Sequence, residues 1–448
     1  MRPLLNSIAD ARLIFIMDMR KRKNLLPNQN LIVGFFLIIA IGSLLLFLPF
    51  AHRSGVSVRY IDALFTSVSA VCVTGLVTLD VAATYNLFGR SVITLLILLG
   101  GLGFASVVMS FSLLLGWNIG IGKRSLIKEA YNLGTMKGSL QVVRTVAFAA
   151  LVFQGIGTFI EYFVFRKSYA PLKALGHAAF NTISAFNNAG FDLMGSYQSL
   201  SAYQGNLAMN LTTAILIILG GSGFFVLADI GRNRRWKLLT MHSRVVVVMN
   251  TSLILLGTLV IMLLEHTDVL SSFFQSVTAR TAGFNTIDIG AMSQVGQFFM
   301  MLLMFIGASP GSTGGGIKTT TTFALIVSLS SMMFHREPAA FRRRLSDESI
   351  IKAFQVLLLA LLVIVFGIVG ILIAEHNAYT FLQVSFESVS AFATVGLSTG
   401  ITPHLGTVSK LILILIMFIG RVGPITIATS LKAKPSVLKH IEEQVFIG

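Results

Sequence analysis

SVSAVCVTGL at 67–76, TISAFNNAGF at 182–191, SVTARTAGFN at 276–285 and SVSAFATVGL at 388–397 are four variants of one text. Each passes from small and hydroxyl-bearing residues into a glycine, and the four glycines are Gly75, Gly190, Gly283 and Gly396. The apolar stretches leading into them start at Phe65, Phe180, Phe273 and Phe386. A second glycine-rich point follows each copy: Gly100, Gly101 and Gly103; Gly220, Gly221 and Gly223; Gly307 with Gly311; Gly420 with Gly423. One such glycine says nothing in a chain holding 40, because apolar helices use glycine to pack closely. Four in matched context define a repeat.

The repeats lie among apolar runs of spanning length at 31–50, 92–117, 145–164, 207–228, 245–264, 298–334 with an interruption, 355–374 and 411–431. Of 448 residues, 54% are hydrophobic and 12% charged, against about 25% charged in an average soluble domain. That excludes a water-soluble globule and leaves no room for a soluble catalytic domain. Eight runs of about 20 residues fit a bilayer. The expected fold is therefore an all-α integral membrane protein of eight spans and four re-entrant helices. Its units are 1–30, a basic N-terminal segment; 31–117, 145–231, 245–334 and 353–431, the four repeats; and 432–448, a tail. Each repeat holds an even number of crossings, so all four point the same way and imply pseudo-fourfold packing about one axis.

The net charge of +16 reads as topology. Segments 1–30, 118–144, 232–244, 335–352 and 432–448 hold 24 of the 34 Lys and Arg, so the positive-inside rule puts both termini in the cytoplasm. This reading is preferred to nucleic-acid binding. The first run, though preceded by Arg20, Lys21, Arg22 and Lys23, is longer than a signal-peptide core and lacks a small-residue cleavage site. The single cysteine, Cys72, excludes an internal disulfide framework, and the eight histidines show no ligand spacing. No catalytic constellation points to an enzyme.

Non-helical backbone inside a bilayer must be buried in protein or line a watery cavity. Four turns converging on one axis would present rings of carbonyls, which suit a dehydrated cation without the full charge that would trap it. The candidate coordinating carbonyls are those of Val73, Thr74 and Gly75; Asn188, Ala189 and Gly190; Thr281, Ala282 and Gly283; and Thr394, Val395 and Gly396.

With these four glycines, the stretch GASPGSTGGGIKT from Gly307 and the FIGRVGP containing Arg421, the chain resembles the Ktr, Trk and HKT potassium transporters. In that family four tandem M1, pore-loop, M2 repeats form one chain. Because the first span leads directly into the first pore loop, the chain looks most like the Ktr membrane subunit. The resemblance implies potassium uptake across the plasma membrane through a carbonyl-lined filter, with potassium as the transported ion, sodium as a candidate activator and no bound cofactor. It implies a homodimer resting on a separate cytosolic, nucleotide-binding regulatory ring. Gly75 matches the potassium-selective members, whereas a single glycine per filter departs from the doubled signature of tetrameric potassium channels.

The segment Gly311, Ser312, Thr313, Gly314, Gly315, Gly316, Ile317, Lys318 imitates a phosphate-binding loop, but Ile317 spoils the lysine spacing. Pro310 and the glycines break the span, so this polar stretch must face a cavity. By resemblance it is an intramembrane gate. Arg421, deep in an apolar run, is costly there unless it finds partners, and the expected role is a positive barrier that holds the gate through its carbonyls, with Lys318 assisting. Arg280 is expected to be neutralised by Glu387 or Asp288. Glu161, Glu265 and Glu375 are expected in interfacial water at the outer ends of spans. The basic stretches 232–237 and 336–344 suit either the regulator or anionic membrane lipid. The alternative reading is a secondary transporter that binds another substrate at the broken helix at 310–316.

Overall fold

The computed structural model describes residues 27–103 and 139–430. The basic cluster at 20–23, the second half of the run at 92–117, most of the stretch at 118–144 and the tail at 432–448 lie outside the described residues.

The helices recur in one order: long, short, medium. The long ones are α1 (Pro27–Phe47), α4 (Ser139–Phe165), α8 (Met241–Glu265) and α12 (Asp347–Ala374). The short ones are α2 (Tyr60–Val71), α5 (Pro171–Phe186), α9 (Val269–Ala279) and α13 (Phe381–Ala393). Those of medium length are α3 (Leu87–Gly101), α6 (Leu207–Gly221), α10 (Gln294–Phe305) and α14 (Thr407–Val422). Past the last three lie α7 (Phe224–Arg232), α11 (Thr319–Met333) and α15 (Pro424–Ser430).

Caps set these boundaries. Side-chain oxygens of Asn86, Asn206 and Ser293 accept the first free N–H groups of α3, α6 and α10, while Thr380 and Gln383 form a reciprocal box on α13. Four helices are long and apolar enough to cross a membrane among the described residues, or five if the bent pair α6 and α7 is one span. The long helices turn Phe36, Phe159, Leu255 and Phe366 outward, all more than half exposed, as suits a lipid-facing surface. Three short helices, α2, α9 and α13, are buried along most of their length, and α5 is buried over its C-terminal half.

The medium helices depart from the continuous spans expected at 207–228 and 411–431. Helix α6 meets α7 at an angle of 95°. The break falls at Gly223 with φ +88°, and α14 stops before Gly423 with φ +92°, a left-handed region glycine enters without steric cost. The run at 298–334 splits into α10 and α11 around a loop at 306–318.

On the side holding the basic stretches, a two-residue antiparallel pair, β1 (Ala339–Ala340) with β2 (Arg343–Arg344), sits in the segment 336–344. Phe341 at its tip meets Trp236 edge to face, with ring centroids 6.5 Å apart, so the two basic stretches touch. On the opposite side Asp62 at the start of α2 pairs with Lys410 of α14 at 2.8 Å, both fully buried, and with Arg59 at 2.9 Å.

Candidate functional site

Each short helix runs directly into one glycine turn. Gly75, Gly190, Gly283 and Gly396 have φ of +90°, +69°, +78° and +94°. The four turns meet in a closed ring. A Cβ added at Gly75 would stand 2.6 Å from the carbonyl oxygen of Ala189, and one at Gly190 2.5 Å from that of Ala282. At Gly283 it would strike the carbonyl of Val395, and at Gly396 that of Thr74. Each glycine therefore packs against the carbonyl preceding the next glycine around the ring, and no side chain fits at any of the four. The short helices end here, so their partial negative C-termini face the ring.

The turns are held from behind. Ser69 and Ser390 accept the N–H of Gly75 and of Gly396 on their hydroxyls, both at 3.1 Å, and the next N–H back, of Thr74 and Val395, on their carbonyls. Ser184 and Thr278 serve turns two and three through the backbone carbonyl alone, and their own hydroxyls find no partner among the described residues. The sequence reading missed these residues, although a Ser or Thr recurs at the third position of every quoted stretch. Turn three differs. It has five residues from Thr278 to its glycine where the others have six, and lacks the left-handed residue that Val73 (φ +53°), Asn188 (+57°) and Thr394 (+51°) supply elsewhere.

The glycines of the medium helices are in contact with this assembly. A Cβ at Gly100 would overlap the carbonyl of Val71, one at Gly220 that of Phe186, and one at Gly420 that of Phe392. These are carbonyls at or near the short-helix ends, so the glycines let the medium helices back directly onto the turns.

The loop at 306–318 lies against the ring. Its polar backbone is satisfied by the neighbouring broken helix: Ser309 N–H donates to Gly221 O at 3.0 Å, Thr313 N–H to Gly220 O at 3.2 Å, and Gly311 O accepts from Phe224 N–H at 3.0 Å. Gly314 packs on Thr281, and Gly315 on Thr394. Lys318 Nζ reaches back to Gly314 O at 2.7 Å and Gly315 O at 3.4 Å. The guanidinium of Arg421 donates to the carbonyls of Thr313, Gly100 and Gly101, which joins the loop to α3 and α14.

Two expectations about charged groups need correction. Arg280 has no ion pair among the described residues: Nη1 donates to Asn250 O at 3.3 Å. Glu387 is occupied elsewhere, accepting from Ser398, Thr399 and Thr402 at 2.6 to 3.1 Å, and Asp288 accepts from Gly290 N–H. Glu161 is not in interfacial water but fully buried, taking Asn181 Nδ2 at 2.9 Å and Thr213 Oγ1 at 3.2 Å. Glu265 and Glu375 need no such correction: they stand half-buried at the ends of α8 and α12, bonded to Ser293 and to Gly406 with Ser409. Each miss concerns a partner tens of residues away.

Beside the ring, Asp80 and Asp192 line a recess of about 30 Å³ with Gly75 and Gly190. Asp80 accepts from Ser196 N–H at 2.5 Å. Burial pushes the Asp192 carboxyl up to about 6, the nearby Asp80 charge adds to the rise, and the N–H of Met194 opposes it.

The profile of the TrkH family, described as cation transport protein, matches residues 7–231 and 230–437. Ktr system potassium uptake protein B of Bacillus subtilis is 38% identical over 436 residues, covering 94% of this chain and 97% of that protein. Potassium/sodium uptake protein NtpJ of Enterococcus hirae is 38% identical over 452 residues, covering 97% and 100%. Among solved structures, the potassium transporter TrkH from Vibrio parahaemolyticus shares the fold with a TM-score of 0.68 at 18% identity, over 89% of this chain and 84% of that one. The chain thus belongs to the TrkH family of cation transport proteins.

Proposed function

We propose that the chain is the ion-conducting subunit of a potassium uptake system, built from four tandem M1, pore-loop, M2 repeats around a pseudo-fourfold axis. The ring in which each turn glycine packs on the next turn's carbonyl carries this reading. In it, the carbonyls of 73–75, 188–190, 281–283 and 394–396 replace the water around a potassium ion. Neutral oxygens with modest partial charge bind the ion firmly enough to strip its hydration and weakly enough to release it. The C-terminal ends of four helices add to the field without a fixed carboxylate on the axis.

Gly311 to Gly316 are the gate, latched by Arg421 and Lys318. The segment is held by hydrogen bonds to other elements rather than by regular secondary structure of its own, and its glycines leave alternative backbone states accessible. A separate regulatory subunit bound on the side of the basic stretches would shift the latch, and the chain would act as a homodimer in the cell membrane with both termini cytoplasmic. Sodium is the candidate activating ion; the Enterococcus relative is named a potassium/sodium uptake protein.

The test is rubidium and sodium uptake by the purified protein in liposomes under an imposed voltage. Wild type should favour rubidium, and Gly75→Ser, which places a side chain against Ala189 O, should lower that preference by roughly tenfold. Equal ratios in the two proteins would overturn the filter assignment.

A further inference from the structure

Three of the four residues standing two before a turn glycine carry a side-chain oxygen, and all three meet the loop. They are Asn188, Thr281 and Thr394; the fourth is Val73. Asn188 Oδ1 accepts from Thr313 Oγ1 at 2.7 Å. Its Nδ2 donates to Thr281 Oγ1 at 2.5 Å and to Ile217 O at 3.3 Å. One amide therefore joins turn two, turn three, helix α6 and the loop. Thr394 Oγ1, fully buried against Gly315, has no hydrogen-bond partner among the described residues.

We propose that Asn188 Oδ1, Thr281 Oγ1 and Thr394 Oγ1 form an inner alkali-cation site between the carbonyl ring and the loop, and that the Thr313 hydroxyl occupies it while the loop is docked. The proposal rests on the filter-and-gate reading above and goes beyond it by making ion and loop competitors for the same oxygen. The amide donors of Asn188 are already committed, so its free acceptor is aimed where Thr313 now sits. If the loop withdraws, a buried carbonyl is left without a donor, which is unfavourable. A partly hydrated cation entering from the loop side restores a partner and so favours the undocked loop. The coupling is reciprocal: a loop that leaves more easily gives tighter apparent ion binding. Lys318, whose ammonium sits on Gly314 O and Gly315 O, brings a positive charge to the same place in the docked state, which reinforces the exclusion. No carboxylate is included, so the site favours a weakly bound ion that passes onward.

The experiment measures rubidium flux in liposomes holding the full-length chain, as a function of rubidium on the loop side. Thr313→Val keeps the shape of the loop residue and removes its donor; half-saturation should fall roughly tenfold, as loss of one buried hydrogen bond allows. Asn188→Gly, which tolerates the left-handed backbone at that position, should raise half-saturation above wild type. Unchanged half-saturation in Thr313→Val overturns the proposal even if Asn188→Gly fails to fold. Gly75→Ser in parallel separates the two readings. An altered rubidium-to-sodium ratio there, with Thr313→Val silent, rejects the inner site and keeps the filter; no change in Gly75→Ser rejects the filter itself.

Discussion

The ring of turns and the loop beneath it are built from the same residues, glycine with threonine, serine and alanine, yet they are anchored in opposite ways. Each turn is bonded to the last residues of its own short helix, within six positions along the chain, and its glycine is enclosed by a neighbouring carbonyl. The loop, besides bonds within itself, is tied to groups far away in sequence: Gly220, Gly221, Phe224 and Arg421. Local bonds to a buried helix end persist as long as the helix does. Bonds to the ends of a broken helix depend on two separate elements staying docked, and are lost when one moves. Glycine is enclosed at Gly314 and Gly315 as it is in the ring, so what separates the two parts is where along the chain their hydrogen-bond partners lie.

The sharpest way to break this contrast is Gly396→Ala. A Cβ there must overlap Thr74 O at a φ of +94°, and strain on the order of 1–3 kcal/mol predicts a loss of potassium flux approaching a hundredfold in reconstituted protein. An active variant would mean the ring has slack. Next is Arg421→Gln, which removes charge-assisted bonds from the loop to α3. Such bonds are worth roughly 1.5–3 kcal/mol each, so flux without any regulatory subunit should rise at least tenfold. Unchanged flux in a properly assembled variant would assign Arg421 to packing alone.

A finer test lies within the ring. Ser69→Ala and Ser390→Ala remove hydroxyls that hold glycine N–H groups, and a selectivity loss of about two- to tenfold is expected from one hydrogen bond. Ser184→Ala and Thr278→Val delete hydroxyls with no partner among the described residues and should leave the ratio as it was. Equal effects from all four would show that the turns are not held as described. The smallest effect concerns the recess at Asp80 and Asp192. With its carboxyl pushed up to about 6 by burial, Asp192 is charged at pH 7.5 and becomes neutral as pH falls to 5. Loss of a negative charge beside the ring weakens cation attraction, so uptake should fall by about twofold over that range. Asp192→Asn should flatten that part of the profile.

The repeats were legible in the sequence because they are local: four copies of one text, four glycines and a break at Pro310 can be seen without knowing what lies opposite. The backbone breaks at Gly223 and Gly423 were less so, since apolar residues continue past both and hide them. Partners of buried charges were not legible at all. Arg280 turns to a backbone carbonyl of α8, and Glu161 to an amide and a hydroxyl on two other helices. Within a buried bundle a neutral dipole serves where a carboxylate was expected, and sequence distance gives no hint of which one. The missing residue in turn three and the recurrent Ser or Thr were visible in the quoted stretches, and became meaningful only once each was seen to hold a turn.

The Asp62 and Lys410 pair sets an order on biogenesis. The two residues stand 348 positions apart. At a synthesis rate of roughly 5–20 residues per second, the carboxylate on the first short helix waits on the order of half a minute for its ammonium. Through that interval Arg59 is its only ionic partner among the described residues. A chain halted before its last medium helix would keep that acid without its buried counter-ion and leave the circle of helices open between its two ends. Such a fragment is the form that membrane quality control should recognise and remove.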